Sequence, residues 1–245
     1  MSLTQDIANV VQAANNLTSE VTNKMGQIDR RVNEAESEYQ GVIAGIRSDF
    51  PFYRLSKNQQ LKISGSLRIG TRGTPDGYFK RDHIITCQIV ASNEFISSNV
   101  HKPAEVRAMF SDIKGRVPEH LIYPDFSILR VSTSSVRTPH TGPFSTIYQR
   151  EIPTNIPYSM GCFIKAEMGQ VAFGRPGNIV PIDGKWHERI LRFDKPSDAN
   201  SYEIGPHLYI APGGRALIAL PAIVAGKVPD GHWGFFQKPV FEHEF

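Results

Sequence analysis

Apolar residues in the first 48 positions fall at Leu3, Ile7, Val10, Ala14, Leu17, Val21, Met25, Ile28, Val32, Ala35, Tyr39, Val42 and Ile46. The steps between them alternate three and four, with one pair of fours at Leu17–Val21–Met25. That spacing is the seam of a coiled coil, and the double four is a stutter that locally unwinds the supercoil. The rest of the segment is Gln, Asn, Ser, Thr and charge, with no proline and no glycine before Gly26. A helix of roughly 45 residues extends about 65 Å, and a narrow apolar stripe of that length needs partner helices to bury it. Identical chains are the simplest source. The predicted helix ends at Asp49-Phe50-Pro51, where proline removes a donor and holds Phe50 extended.

Beyond Pro51 the period shifts from three-and-a-half to two. Leu61, Ile63, Gly65, Leu67 and Ile69 alternate as a strand with one buried face, and Gly70–Gly77 reads as a turn. Further strands are predicted at 84–91, 126–136, 160–168, 170–174, 188–194, 207–211 and 215–220. A short helix at 102–114 has Pro103 at its start and Gly115 at its end. Short strands bounded by Gly, Pro or Asp point to a β-sandwich or jelly-roll-like body. The expected fold is therefore mainly β with a long N-terminal helix: a coiled-coil stalk over 1–50, a β-rich domain over 51–138 and a C-terminal sandwich-like domain over 139–245. The Pro139–Pro143 loop marks the second boundary.

Charge sharpens that division. The net charge is +3, with 27 Lys+Arg against 24 Asp+Glu. Residues 1–49 contain four basic and seven acidic side chains, which is −3, so the remainder carries +6. No run of four Lys/Arg occurs, and diffuse positive charge gives solubility rather than a nucleic-acid site. The N-terminus lacks the basic-then-apolar order of a signal peptide. The most apolar run, Ala216–Ala225, is too short to span a bilayer and is interrupted by Pro221. Two cysteines cannot build a disulfide framework, so packing or assembly must stabilise the chain. Cys87 and Cys162 fall inside strand segments and read as small buried hydrophobes.

Catalytic signatures are missing. Gly65–Gly70 begins like a phosphate loop, but Thr71-Arg72 stands where Lys and Ser/Thr are required. There is no serine elbow and no zinc-binding His-Glu-x-x-His helix. The eight histidines show no ligand spacing, so no metal and no cofactor is expected, and the chain does not read as an enzyme. Carboxylates that would serve a glycosidase are present, as in any chain of this size, and leave polysaccharide cleavage as a weaker alternative. Aromatic residues beside glycine and polar groups suit the apolar face of a sugar ring: Trp186, His187, Tyr202, Tyr209 and Trp233 are the candidate ligand-binding set. The competing reading places both tryptophans in the core.

The segment from Met1-Ser2-Leu3-Thr4 through the Ala/Asn-rich helix to Ile28-Asp29-Arg30-Arg31-Val32 resembles the start of bacteriophage tail-fibre and tail-appendage proteins. His207–Gly214 and Ala219–Gly226 are similar to β-rich terminal modules of such fibres. The resemblance implies a virion tail structural protein, made in the host cytoplasm and usually a homotrimer. One end would attach to other tail proteins while the β-domains face a bacterial surface glycan. It implies no catalytic residue, no nucleic-acid partner and no membrane insertion. A three-helix stalk would hold three β-modules together and convert weak single-site binding into avidity.

Overall fold

The computed structural model describes residues 3–49, 52–81, 85–95, 97–118, 123–135, 144–194 and 202–239; for 40–49 and 202–203 only the backbone is described. The chain forms two compact units, Met1–Pro51 and Phe52–Phe245.

The first unit is a single helix, α1 (Leu3–Asp49). Asp6 in its first turn complements the positive end of the helix dipole. Thr18 and Thr22, poor helix formers, return their hydroxyls to the carbonyls of Ala14 and Thr18 at 2.9 Å, so they satisfy themselves within the ladder.

The second unit is mainly antiparallel β. Its elements are β1 (Phe79–Lys80), β2 (Ile85–Asn93), α2 (Ala104–Lys114), β3 (Phe126–Thr133), β4 (Ser145–Tyr148), β5 (Ile152–Pro153), β6 (Tyr158–Met168), β7 (Val171–Phe173), β8 (His187–Phe193), β9 (Tyr202–Glu203), β10 (Leu208–Ile210) and β11 (Arg215–Ala225). A five-stranded sheet has the order β2-β3-β11-β6-β8, a four-stranded sheet β1-β4-β10-β7, and β5 pairs with β9.

Both large sheets feed one buried cluster. Ile89, Leu129, Cys162, Ile164 and Ile218 come from the five-stranded sheet, and Ile147, Phe173, Leu208 and Ile210 from the four-stranded one. The alternate residues of the five-stranded sheet, including Ile128, Phe163 and Leu217, join a second cluster. There they meet Val106, Met109 and Phe110 of α2 and Val228, Trp233 and Phe236 of the C-terminal segment. A sheet covered on both faces needs strands without a polar face, which is why β6 and β11 are buried almost throughout.

Two expectations are corrected here. Residues 61–69 do not form a strand. Leu61 and Ser64 adopt positive φ, and the chain folds into a tight turn with an Ile63–Ser66 bridge. Asp76 clamps that turn by accepting the backbone N–H groups of Ser64 and Gly65, both at 2.8 Å. Leu61 and Ile63 are buried as the alternation requires, but the Ser64 and Gly65 N–H groups go to Asp76 and the Lys62 N–H to Asn58 Oδ1, not to a strand ladder. Nor does a boundary at 139 divide the body into two domains. β3 from before it pairs with β11 from after it, and β1 with β4, so residues 52–138 and 139–245 are interleaved in both large sheets. Long-range pairing of this kind leaves no local trace in a loop composition.

Pro221 also behaves differently from expectation. β11 runs on to Ala225 because the proline falls in a bulge between Ala219 and Ala222, where a missing N–H costs no ladder bond. Leu220 takes φ 51° there, and its carbonyl is turned out of the ladder to accept Trp233 Nε1 at 3.0 Å and Gln59 Nε2 at 3.3 Å.

Candidate functional surfaces

The apolar side chains at coiled-coil spacing along α1 are exposed over its described length within its own unit. Leu3, Ile7, Val10, Leu17, Val21, Met25, Ile28, Val32 and Tyr39 are all large exposed hydrophobics, from 48% at Val21 to 77% at Leu3. Ala14 and Ala35 are exposed too, while the side chains of Val42 and Ile46 lie outside the described residues.

The two tryptophans of the candidate ligand set are internal, which corrects their assignment. Trp186 is 2% exposed, and its Nε1 donates to Glu105 Oε1 of α2 at 2.8 Å, the same oxygen that accepts Lys165 Nζ at 2.8 Å. Trp233 is 1% exposed, packs edge-on against Phe236 and donates to the Leu220 carbonyl. Neither offers a ring face to a sugar. His187 is half-buried at the start of β8, where its Nε2 meets Asp183 Oδ1 at 3.0 Å. The backbone N–H of Lys185 donates to that same carboxylate, and together with His187 holds Asp183 below the usual carboxylate range. The side chain of Tyr202 lies outside the described residues.

Tyr209 is placed differently. On the outer side of the four-stranded sheet it stacks on His207 with centroids 5.4 Å apart and 18° between planes. His207 lies 5.3 Å from Tyr148, Tyr148 lies 6.4 Å from Phe79, and Phe144 meets Tyr209 edge-on at 6.2 Å. Five rings thus cross β1, β4 and β10 in one ladder. Cross-strand aromatic pairs of this kind reinforce strands that are otherwise only two to four residues long. The Arg150 guanidinium caps one end, 4.6 Å from the Phe79 centroid, and donates to Tyr148 Oη at 3.0 Å. Phe79 is 44% exposed. Sequence reasoning named one ring of the five; the spacings Phe144…Tyr148 and His207-x-Tyr209, which put aromatics on one face of two strands, were the available signal.

Two of the acidic side chains available to a glycosidase, Glu167 and Glu188, carry structural partners. Glu167 accepts Arg130 through two parallel bonds of 2.9 Å. Arg215 Nε approaches the same carboxylate to 2.9 Å but off its N–H axis, so that contact is an ion pair and not a hydrogen bond. Glu188 accepts the backbone of Gly231 and Trp233. Among the described residues no three His, Cys, Asp or Glu side chains group as metal ligands would, and no helix is long and apolar enough to cross a membrane.

No protein-family model and no curated protein matches the chain. The functional reading therefore rests on the surfaces themselves.

Proposed function

We propose that this chain is a self-associating structural protein of the tail-fibre or tail-appendage type, in which α1 forms a three-helix coiled coil with two further copies. A sandwich- or jelly-roll-like body then contributes to host attachment from the virion tail, alongside other tail proteins. The observation that carries the reading is the exposed seam: nine large apolar side chains at coiled-coil spacing with nothing in their own unit to cover them. Each contributes about 1.5–3 kcal/mol when fully buried, a gain that three parallel seams collect together. The core cluster drawn from both large sheets supports the sandwich-like reading of the body. Light scattering of the full chain against a chain lacking residues 1–48 tests the proposal. The expected result is a trimer that becomes a monomer on truncation; a monomeric full chain overturns it.

A second reading, a glycan-binding recognition module, is favoured by the Phe79–Tyr148–His207–Tyr209 ladder with Arg150 at its end. Its ring edges, phenol groups and guanidinium offer apolar and polar contact side by side. Glycan-array binding that survives Phe79→Ala and Arg150→Ala would remove this surface from consideration.

A further inference from the structure

Beside the β2 edge of the five-stranded sheet, where alternate residues of β2 and β3 are polar and only partly buried, lies a concavity of about 460 Å³. Arg72, Lys80 and Arg130 line it together with Thr86, Gln88 and Ser132. None of the described lining residues is acidic. We propose that this concavity is a binding site for an oxyanion: the carboxylate of an acidic sugar or a phosphate group.

Each lining group is positioned by the sheet. Thr86 faces Ser132 and Gln88 faces Arg130 in the β2–β3 register, which puts two hydroxyls, an amide and a guanidinium on one surface. Arg72 is brought in by the backbone. Residues 70–73 cap the β2 edge through Gly70 N–H to Ile89 O, Ile89 N–H to Thr71 O and Gly73 N–H to Cys87 O, at 2.9, 2.9 and 3.1 Å. An Arg72–Gln88 bridge lies between them. Lys80 donates to the Ile85 carbonyl at 2.9 Å, one of the three hydrogens an ammonium offers.

The charge balance favours an added anion. Glu167 is the carboxylate paired with Arg130, and it is shared with Arg215. One carboxylate against two guanidiniums leaves a positive charge over, to which Arg72 and Lys80 add two more. Planar guanidiniums match the two oxygens of a carboxylate or phosphate, and the Ser132 hydroxyl and Gln88 amide supply further neutral donors, while the Thr86 hydroxyl donates to the Ser132 carbonyl at 3.5 Å. The site is separate from the aromatic ladder: adjacent residues of β1 serve the two, with Phe79 in the ladder and Lys80 in the concavity. It also stands independently of the assembly proposed above, since every residue it uses lies in one body.

Calorimetric titration of the full chain at low salt with sodium phosphate, D-glucuronate and neutral D-glucose tests the site. Saturable millimolar or tighter binding of an anion is expected, with no binding of glucose. Tighter phosphate than glucuronate identifies a phosphate site, and the reverse an acidic-sugar site. R72Q with K80Q should weaken anion binding at least tenfold, and K185Q, at an exposed lysine just before β8, should leave it unchanged. R72Q alone, on an exposed residue of the 70–73 segment, keeps the test interpretable if the double variant fails to fold. Absence of saturable anion binding, binding of glucose equal to that of glucuronate, or affinity unchanged in R72Q overturns the proposal. Light scattering on the same samples reads the assembly separately.

Discussion

The indole of Trp233 lies directly over Gly161 of β6. A Cβ at residue 161 would stand 2.7 Å from Cε3 and Cζ3 of the ring and 2.8 Å from the Arg189 carbonyl. Glycine is required there because the C-terminal segment packs its largest side chain onto the backbone of a central strand. Gly161→Ala should therefore destabilise the body by about 1–3 kcal/mol, the usual range for overpacking a filled core. Urea unfolding followed by tryptophan fluorescence measures this. Gly177→Ala, where an added Cβ meets nothing within 4 Å, is the control expected to be near neutral.

Glu188 fastens the same segment from β8. Its two oxygens accept the backbone N–H groups of Gly231 at 2.5 Å and Trp233 at 2.9 Å, while Lys114 stands 3.9 Å away. Glu188→Ala leaves both donors without this acceptor and should cost about 1.5–3 kcal/mol, as expected for hydrogen bonds to a charged group. Hydrogen exchange should locate the loss, with faster exchange at Gly231 and Trp233 and little change in β2.

Both cysteine thiols are buried and free. Burial pushes the Cys87 thiol up to about 12 and raises Cys162 well above the ordinary range. Because the anion is the form disfavoured, both stay protonated at neutral pH, and thiolate at Cys87 grows only as pH approaches its raised value. A disulfide reagent at pH 8 should react with Cys87 in the native chain about 10³-fold more slowly than with a free thiol. Denaturation should release two fast-reacting thiols. A native thiol reacting at the free rate would show that the strands around it open readily.

Assembly through α1 predicts a specific weakness. Val21→Asp together with Ile28→Asp puts two charges among the exposed apolar side chains of α1 and alters no residue of the body. Sedimentation should show the oligomer dissociating, while the near-ultraviolet circular dichroism of the body is unchanged. Gln12→Ala, off the seam, should leave the oligomer intact.

How much of the molecule is legible in its sequence varies with the range of the interactions involved. α2 is marked by Pro103, the Val106–Met109–Phe110 stripe and Gly115, which takes φ 68° at the helix end. Those signals lie within a dozen residues, so the sequence carries them. At Leu61–Ile69 the same kind of pattern misleads, because Asp76 captures the backbone donors that a strand would have given to a neighbour. For Trp186 and Trp233 the sequence offers glycine-flanked aromatics and nothing to tell surface from core. Glu105 and Leu220, which receive their indole N–H groups, lie far away in the chain or across a bulge.

The sequence by itself determined the division at Pro51, the helix with its apolar residues three and four apart, the β character of the chain beyond that proline and the absence of standard catalytic motifs. These features arise from periodicity and from proline and glycine, which act on the backbone within a few residues. Only the tertiary structure decided that the β-rich residues form one interleaved body, that the tryptophans seal its core, and that His207 and Tyr209 join Phe79, Phe144 and Tyr148 from distant segments. It also decided that Arg72, Lys80 and Arg130 share one concavity. Antiparallel pairing is set by packing between segments far apart in the chain, and a sheet register brings together side chains whose proximity no local pattern encodes.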